Sequence, residues 1–94
     1  MNSTARTFVT DDLPLAAFIA AKQALRLASV TTKGEYGRFH FYDPEGKGES
    51  LAFEMASGGQ VSAIAFQQAI KILKRQVIAL VKQQTAQKLH VEVR

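Results

Sequence analysis

The sequence predicts an α+β fold: a single small domain with an N-terminal helix, an antiparallel β-hairpin or small sheet, and a long C-terminal amphipathic helix packed on it. Three observations predict it. Residues 61–84, VSAIAFQQAIKILKRQVIALVKQQ, hold the longest uninterrupted helical pattern, with Phe66, Ala69, Ile70, Leu73, Val77, Leu80 and Val81 on one stripe. At 100° per residue that stripe is about 120° wide and needs a sheet or helices to cover it. The segments LRLASVTT and RFHFYD, on either side of a glycine-containing turn, read instead with period two, as paired strands do. Finally, 94 residues, 47% hydrophobic and 21% charged, suffice for one closed core and are too few for two.

Taken in order, residues 1–5 are expected to be disordered and residues 6–10 to add a short strand anchored by Phe8. A first helix follows over roughly residues 12–24. Thr10, Asp11 and Asp12 offer capping oxygens and negative charge to its N-terminus, and Pro14 suits its first turn. The cap is left open among Asp11, Asp12 and Leu13, because proline disfavours helical geometry in the residue before it. Leu15, Phe18, Ile19 and Leu25 make the apolar face, and Ala16, Ala20 and Ala24 form a strip that lets a neighbour approach closely. In the hairpin, with its turn over residues 33–37, Phe39 and Phe41 share the core face, and Arg38, His40 and Tyr42 share the other. Residues 43–48, DPEGKG, are a loop by composition. Residues 49–57 fit either a strand (Leu51, Phe53, Met55) or a short helix (Leu51, Ala52, Met55), and the helix is favoured because Gly58-Gly59 supplies its stop. Ser62 caps the long helix. Beyond Gln84, the alternation of Leu89, Val91 and Val93 predicts a last edge strand or a tail over residues 85–94.

Composition bounds function. The chain has no cysteine, which excludes disulfides, thiolate zinc sites and cysteine nucleophiles. MNSTARTFVTDD lacks the apolar region of a signal peptide, and no apolar run approaches the roughly 20 residues of a membrane span, so a cytoplasmic protein is expected. The net charge of +4 permits an anionic partner without demanding one. Its distribution is more telling. From residue 55 to residue 91 there is no acidic residue, and Lys71, Lys74, Arg75 and Lys82 lie on one arc of the long helix.

The stretch Thr10-Asp11-Asp12-Leu13-Pro14-Leu15-Ala16-Ala17-Phe18, the Phe39-x-Phe41 strand, and Gly59-Gln60-Val61 followed by Phe66, Ala69, Leu73-Lys74 and Val77 together resemble a small bacterial and phage domain of unknown function. The resemblance covers roughly residues 7–80. It implies a compact α+β unit with the hairpin between helices, and it implies no activity. The chain departs from that pattern in lacking a glycine where the first helix ends, within AKQALRL, which leaves that end open. A looser resemblance is to the RNA-recognition motif, ordered βαββαβ, with KGEYGRFHF as its base-stacking third strand and LHVEVR closing the sheet. Against it stand the extra Glu35 and the need for Phe39 and Phe41 in a core.

Catalysis finds no constellation here. Neither His40 nor His90 has a base, orienter and nucleophile around it, and Asp11-Asp12 read as helix-capping groups rather than paired catalytic carboxylates. Residues 43–54 place Asp, Gly and Glu at positions 1, 6 and 12 of a calcium loop, but Lys47 stands where a ligand oxygen belongs. EGKGES lacks the spacing of a phosphate loop. No cofactor, metal, membrane partner or small-molecule substrate is inferred. The expected function is a non-enzymatic interaction module that self-associates as a homodimer through Ile64, Ile72 and Ile78, which fall outside the apolar stripe. The alternative is a nucleic-acid-binding domain using Lys71, Lys74, Arg75 and Lys82, supplemented from the sheet by Arg38, His40 and Tyr42.

Overall fold

Alternation along one strand decides the architecture. In the computed structural model, which describes the backbone of residues 6–93 and the side chains of residues 6–84, strand β3 (Tyr36–Tyr42) lies between β1 (Thr7–Thr10) and β2 (Arg26–Lys33) and is antiparallel to both. Phe39 and Phe41, at 2% and 0% exposure, turn into the core. Their cross-strand partners follow them: Phe8 and Leu27 pair with Phe41, and Val30 pairs with Phe39. Leu27 and Val30 are an odd number of residues apart and would face opposite sides of a regular strand. A bulge between Leu27 and Ser29 restores the phase, so both reach the core face.

The hairpin turn is tighter than the five-residue turn expected from sequence. Only Gly34 and Glu35 lie outside the strands, and Gly34 has φ 62, the glycine-first pattern of a two-residue II′ turn. Gly37 is therefore a strand residue, placed there by close packing. A Cβ at that position would overlap Cγ2 of Val77.

Helix α1 (Leu13–Lys22) is capped by Asp12, whose Oδ1 accepts the Leu15 N–H at 3.2 Å. Leu15, Ala16, Ala17, Phe18 and Ile19 are all buried. The helix ends two residues before Ala24, because Gln23 adopts the left-handed conformation at φ 57. Its N–H donates to Ala20 O at 3.0 Å and that of Ala24 to Ile19 O at 3.2 Å. These two bonds make the Schellman arrangement, with glutamine where glycine is the usual occupant. Leu25 thus leaves the helix but still packs against the core.

Residues 49–57 are helical, within α2 (Gly48–Ala56). Its start is held by the buried Asp43, whose carboxylate accepts the N–H of Lys47 at 2.6 Å and of Gly48 at 2.8 Å. Gly58, at φ 91, provides the stop that the sequence placed there. Leu51 enters the core, whereas Phe53 is 73% exposed.

Helix α3 spans Ala63–Val93. Ser62 Oγ accepts the Ala65 N–H at 3.2 Å. The predicted stripe faces inward: Ala69 and Leu73 are buried, and Phe66, Ile70 and Val77 pack against the core. Residues 85–93 continue this helix, so the edge strand or tail read from Leu89, Val91 and Val93 is corrected. No Gly or Pro interrupts Thr85-Ala86-Gln87-Lys88, and extending a formed helix is far easier than nucleating a new element. The disorder expected for residues 1–5 lies outside the described residues.

The helices cover one face of the sheet. Leu15, Ile19, Phe39, Phe41, Ala69 and Leu73 form one core cluster, and Gln84 Nε2 donates to Thr32 Oγ1 at 2.6 Å. Both outer strands are antiparallel to β3, so β1 and β2 are parallel to each other and joined through α1, a split βαβ unit. This reproduces the first four elements of the RNA-recognition motif and then departs from it. Two helices follow β3, and the two phenylalanines are core residues.

Candidate functional site

Among the described residues, no helix lies on the second face of the sheet. Along β3, Tyr36, Arg38, His40 and Tyr42 project to this side, one every two residues and hence about 6.8 Å apart, over a length of about 20 Å. Their register partners on β2 are Lys33 for Tyr36, Thr31 for Arg38, Ser29 for His40 and Arg26 for Tyr42. On β1, Val9 pairs with His40 and Thr7 with Tyr42. Tyr36 is 76% exposed, Tyr42 50% and Val9 44%. None of the three strands contains an aspartate or glutamate, whereas this face presents Arg26, Lys33 and Arg38.

His40 is half-buried in the middle of the row, with Nε2 2.9 Å from Thr31 Oγ1. The bond ties the ring diagonally across to β2, at the strand position between Arg38 and Tyr42. At the hairpin end lies a concavity of about 450 Å³ lined by Asp11, Lys33, Gly34, Tyr36 and Arg38. Two cations, one aromatic ring and one carboxylate therefore meet at the end of a sheet whose strands themselves carry no acidic residue.

The cations predicted on the long helix are all exposed: Lys71, Lys74, Arg75 and Lys82. Among the described residues the ion pairs are Lys22–Glu54 at 2.6 Å and Lys47–Glu45 at 3.0 Å, and neither involves that arc. Helix α3 turns Ala69, Leu73 and Val77 toward the sheet's core face, so its basic arc points away from the sheet. The arc and the Arg38–His40–Tyr42 row consequently occupy opposite sides of the molecule. They do not form the joint surface that the sequence reading combined.

Ile64, Ile72 and Ile78 are exposed by 68%, 53% and 46%. They too are separated. Six residues between Ile72 and Ile78 rotate the helix by about 600°, leaving the two side chains a third of a turn apart. Ile72 opens onto a groove of about 360 Å³ with Ala20, Ala21, Leu27 and Ala69, while helical spacing puts Ile78 on the arc of Lys71, Lys74 and Arg75.

Two surface features went unseen in the sequence. The alternation of Leu51, Phe53 and Met55 offers Phe53 only as a strand residue, whereas its 73% exposure is set by the helix it occupies. Tyr36 was assigned to the turn, although a glycine-first pair in KGEYG is the signal that would have shortened the turn and added Tyr36 to the β3 row. Asp43 and Glu54, the ends of the calcium-loop pattern, are engaged by backbone N–H groups and by Lys22 respectively. Among the described residues no group of three His, Asp or Glu side chains is gathered as a metal site, and no helix is long and apolar enough to cross a membrane. No protein-family model, no curated protein and no solved structure matches the chain.

Proposed function

We propose that the protein is a non-enzymatic, cytoplasmic nucleic-acid-binding domain, and that its binding surface is the uncovered face of the sheet, with single strands as the ligand. The observation that carries this reading is the row Tyr36-x-Arg38-x-His40-x-Tyr42 on the central strand, with Tyr36, Arg38 and Tyr42 exposed, His40 half-buried between them and Arg26 and Lys33 flanking it, and with no carboxylate on any strand. Sheet-borne aromatics offer flat faces to unstacked bases, and cations beside them neutralise the phosphates. A duplex keeps its bases stacked and gains only the electrostatic part. The same charges disfavour sheet-to-sheet pairing of two copies, which would oppose Arg26, Lys33 and Arg38 with a like set.

Fluorescence anisotropy with labelled single- and double-stranded oligonucleotides over a salt series tests this reading. With three phosphates neutralised, log K against log salt should fall with a slope of about −2 for single strands. Replacing Tyr36 or Tyr42 by alanine should weaken binding by about 1–3 kcal/mol each. Absence of binding at low salt, or equal loss for duplex and single strand, contradicts it.

Self-association is the second reading, favoured by the exposure of Ile72 beside the groove between α1, β2 and α3. Ile64 and Ile78 contribute to a separate flank. Sedimentation at tens of micromolar should then show a dimer that Ile72→Lys converts to monomer, and a strict monomer in the unsubstituted protein excludes it.

A further inference from the structure

We infer that the concavity at the hairpin end reads a base, and that the base it takes is guanine, recognised by the Asp11 carboxylate within a bound single strand. This rests on the reading of the sheet face as a nucleic-acid surface and adds to it a preference that phosphate contacts alone do not give.

Asp11 is the one acidic side chain that lines this concavity, beside Lys33, Tyr36 and Arg38. Helix α1 does not use it as a cap. The capping bond comes from Asp12, whose own N–H donates to Thr10 Oγ1 at 3.1 Å. Among the described residues the Asp11 carboxylate takes no hydrogen bond and no ion pair, although two cations line the same concavity. On a surface built for phosphates a carboxylate subtracts affinity by repulsion, so its chemistry fits a ligand group that donates. Glu35, at the tip of the turn, does not line the concavity.

The bases differ in what they offer two carboxylate oxygens. Guanine presents N1–H and the 2-amino group side by side, which satisfies both oxygens at once. Adenine and cytosine each place an amino group next to a ring acceptor, and thymine and uracil hold one N–H between two carbonyls. Only guanine meets the carboxylate without an acceptor facing an acceptor. The exposed Tyr36 ring lies at the same place to stack on the base, and Lys33 and Arg38 flank it for the phosphates on either side. Nothing lies within 4 Å of where a Cβ on Gly34 would stand, so that edge is open to a ligand.

The test uses the full chain and four labelled thymine-rich DNA 10-mers, each carrying one central guanine, inosine, adenine or cytosine, with an all-thymine strand as reference. Guanine should bind more tightly than thymine by roughly 5- to 150-fold, the range of a well-formed bidentate contact, and inosine, which lacks the 2-amino donor, should lose most of that gain. Asp11→Asn should abolish the guanine preference and bind the all-thymine strand as tightly as the unsubstituted protein or more so. Because Asp12 supplies the cap, this variant keeps its helix, which circular dichroism checks. Equal binding of all five strands overturns the inference and leaves the sheet as a general single-strand surface, and a guanine preference that survives Asp11→Asn overturns it by placing the readout on other residues. Binding to none of them overturns both.

Discussion

Gln23 is the residue at which local preference and tertiary structure disagree. Its φ of 57 ends α1, and a non-glycine residue in that conformation carries a steric cost that glycine does not. The sequence marked this place without resolving it: the resemblance called for a glycine near the end of the helix, and none occurs in AKQALRL. The left-handed residue is present all the same, because the bonds from Gln23 and Ala24 back to Ala20 and Ile19 impose it. Gln23→Gly should therefore stabilise the fold by about 0.5–1 kcal/mol, the relieved strain less the added freedom of the unfolded chain. Urea denaturation checks it through a raised midpoint at unchanged slope, and Gln23→Val should move the midpoint the other way. Asp43 teaches the opposite lesson. Its place at the head of a calcium-like loop was legible, but its burial and its two backbone partners depend on how the loop closes onto α2.

At the scale of elements, the close approach of α3 to β3 sets the thickness of the core. Gly37 and Val77 are the contact that permits it. Gly37→Ala inserts a methyl group where none fits and should cost about 1–3 kcal/mol, while Gly37→Ala with Val77→Ala should recover part of the loss in the same denaturation assay. Periodicity made most elements readable: the Phe66–Val81 stripe, the alternation of β3, and the choice of helix over strand at Leu51 and Met55 before Gly58 all follow from side-chain spacing and one stop. Periodicity failed where it had too few repeats. Three alternating residues near the C-terminus imitate a strand, yet they continue a helix that has already formed. The bulge at Ala28 was hidden for a related reason, since an extra residue shifts the phase of a strand without leaving a turn residue to mark it.

For the whole molecule, the consequence of two layers is that cations face out on both sides, on α3 and on the bare sheet. The helix set was legible in full and the sheet set only in Arg38, because Lys33 reads as a turn residue and Arg26 carries no mark of its face. That they stand back to back was not, because it depends on which face of the sheet the helices choose. The meeting of Asp11 with Lys33, Tyr36 and Arg38 was equally hidden, as it follows from β1 pairing with β3 across some thirty residues of chain. Among the described residues, only the sheet of the two cationic faces also offers aromatic rings, whereas lysine and arginine on α3 are explained by helix propensity and solvation. The proposed nucleic-acid surface is therefore the sheet and not the helix. The most direct test of this is the affinity of one single-stranded oligonucleotide at low salt for two double variants, Tyr36→Ala with Arg38→Ala and Lys74→Ala with Arg75→Ala. The sheet pair should weaken binding by more than about tenfold, in line with the loss of one stacked base, and the helix pair should change it by no more than about twofold. A sheet pair that binds like the unsubstituted protein, or a helix pair that loses affinity in its place, would contradict the proposal.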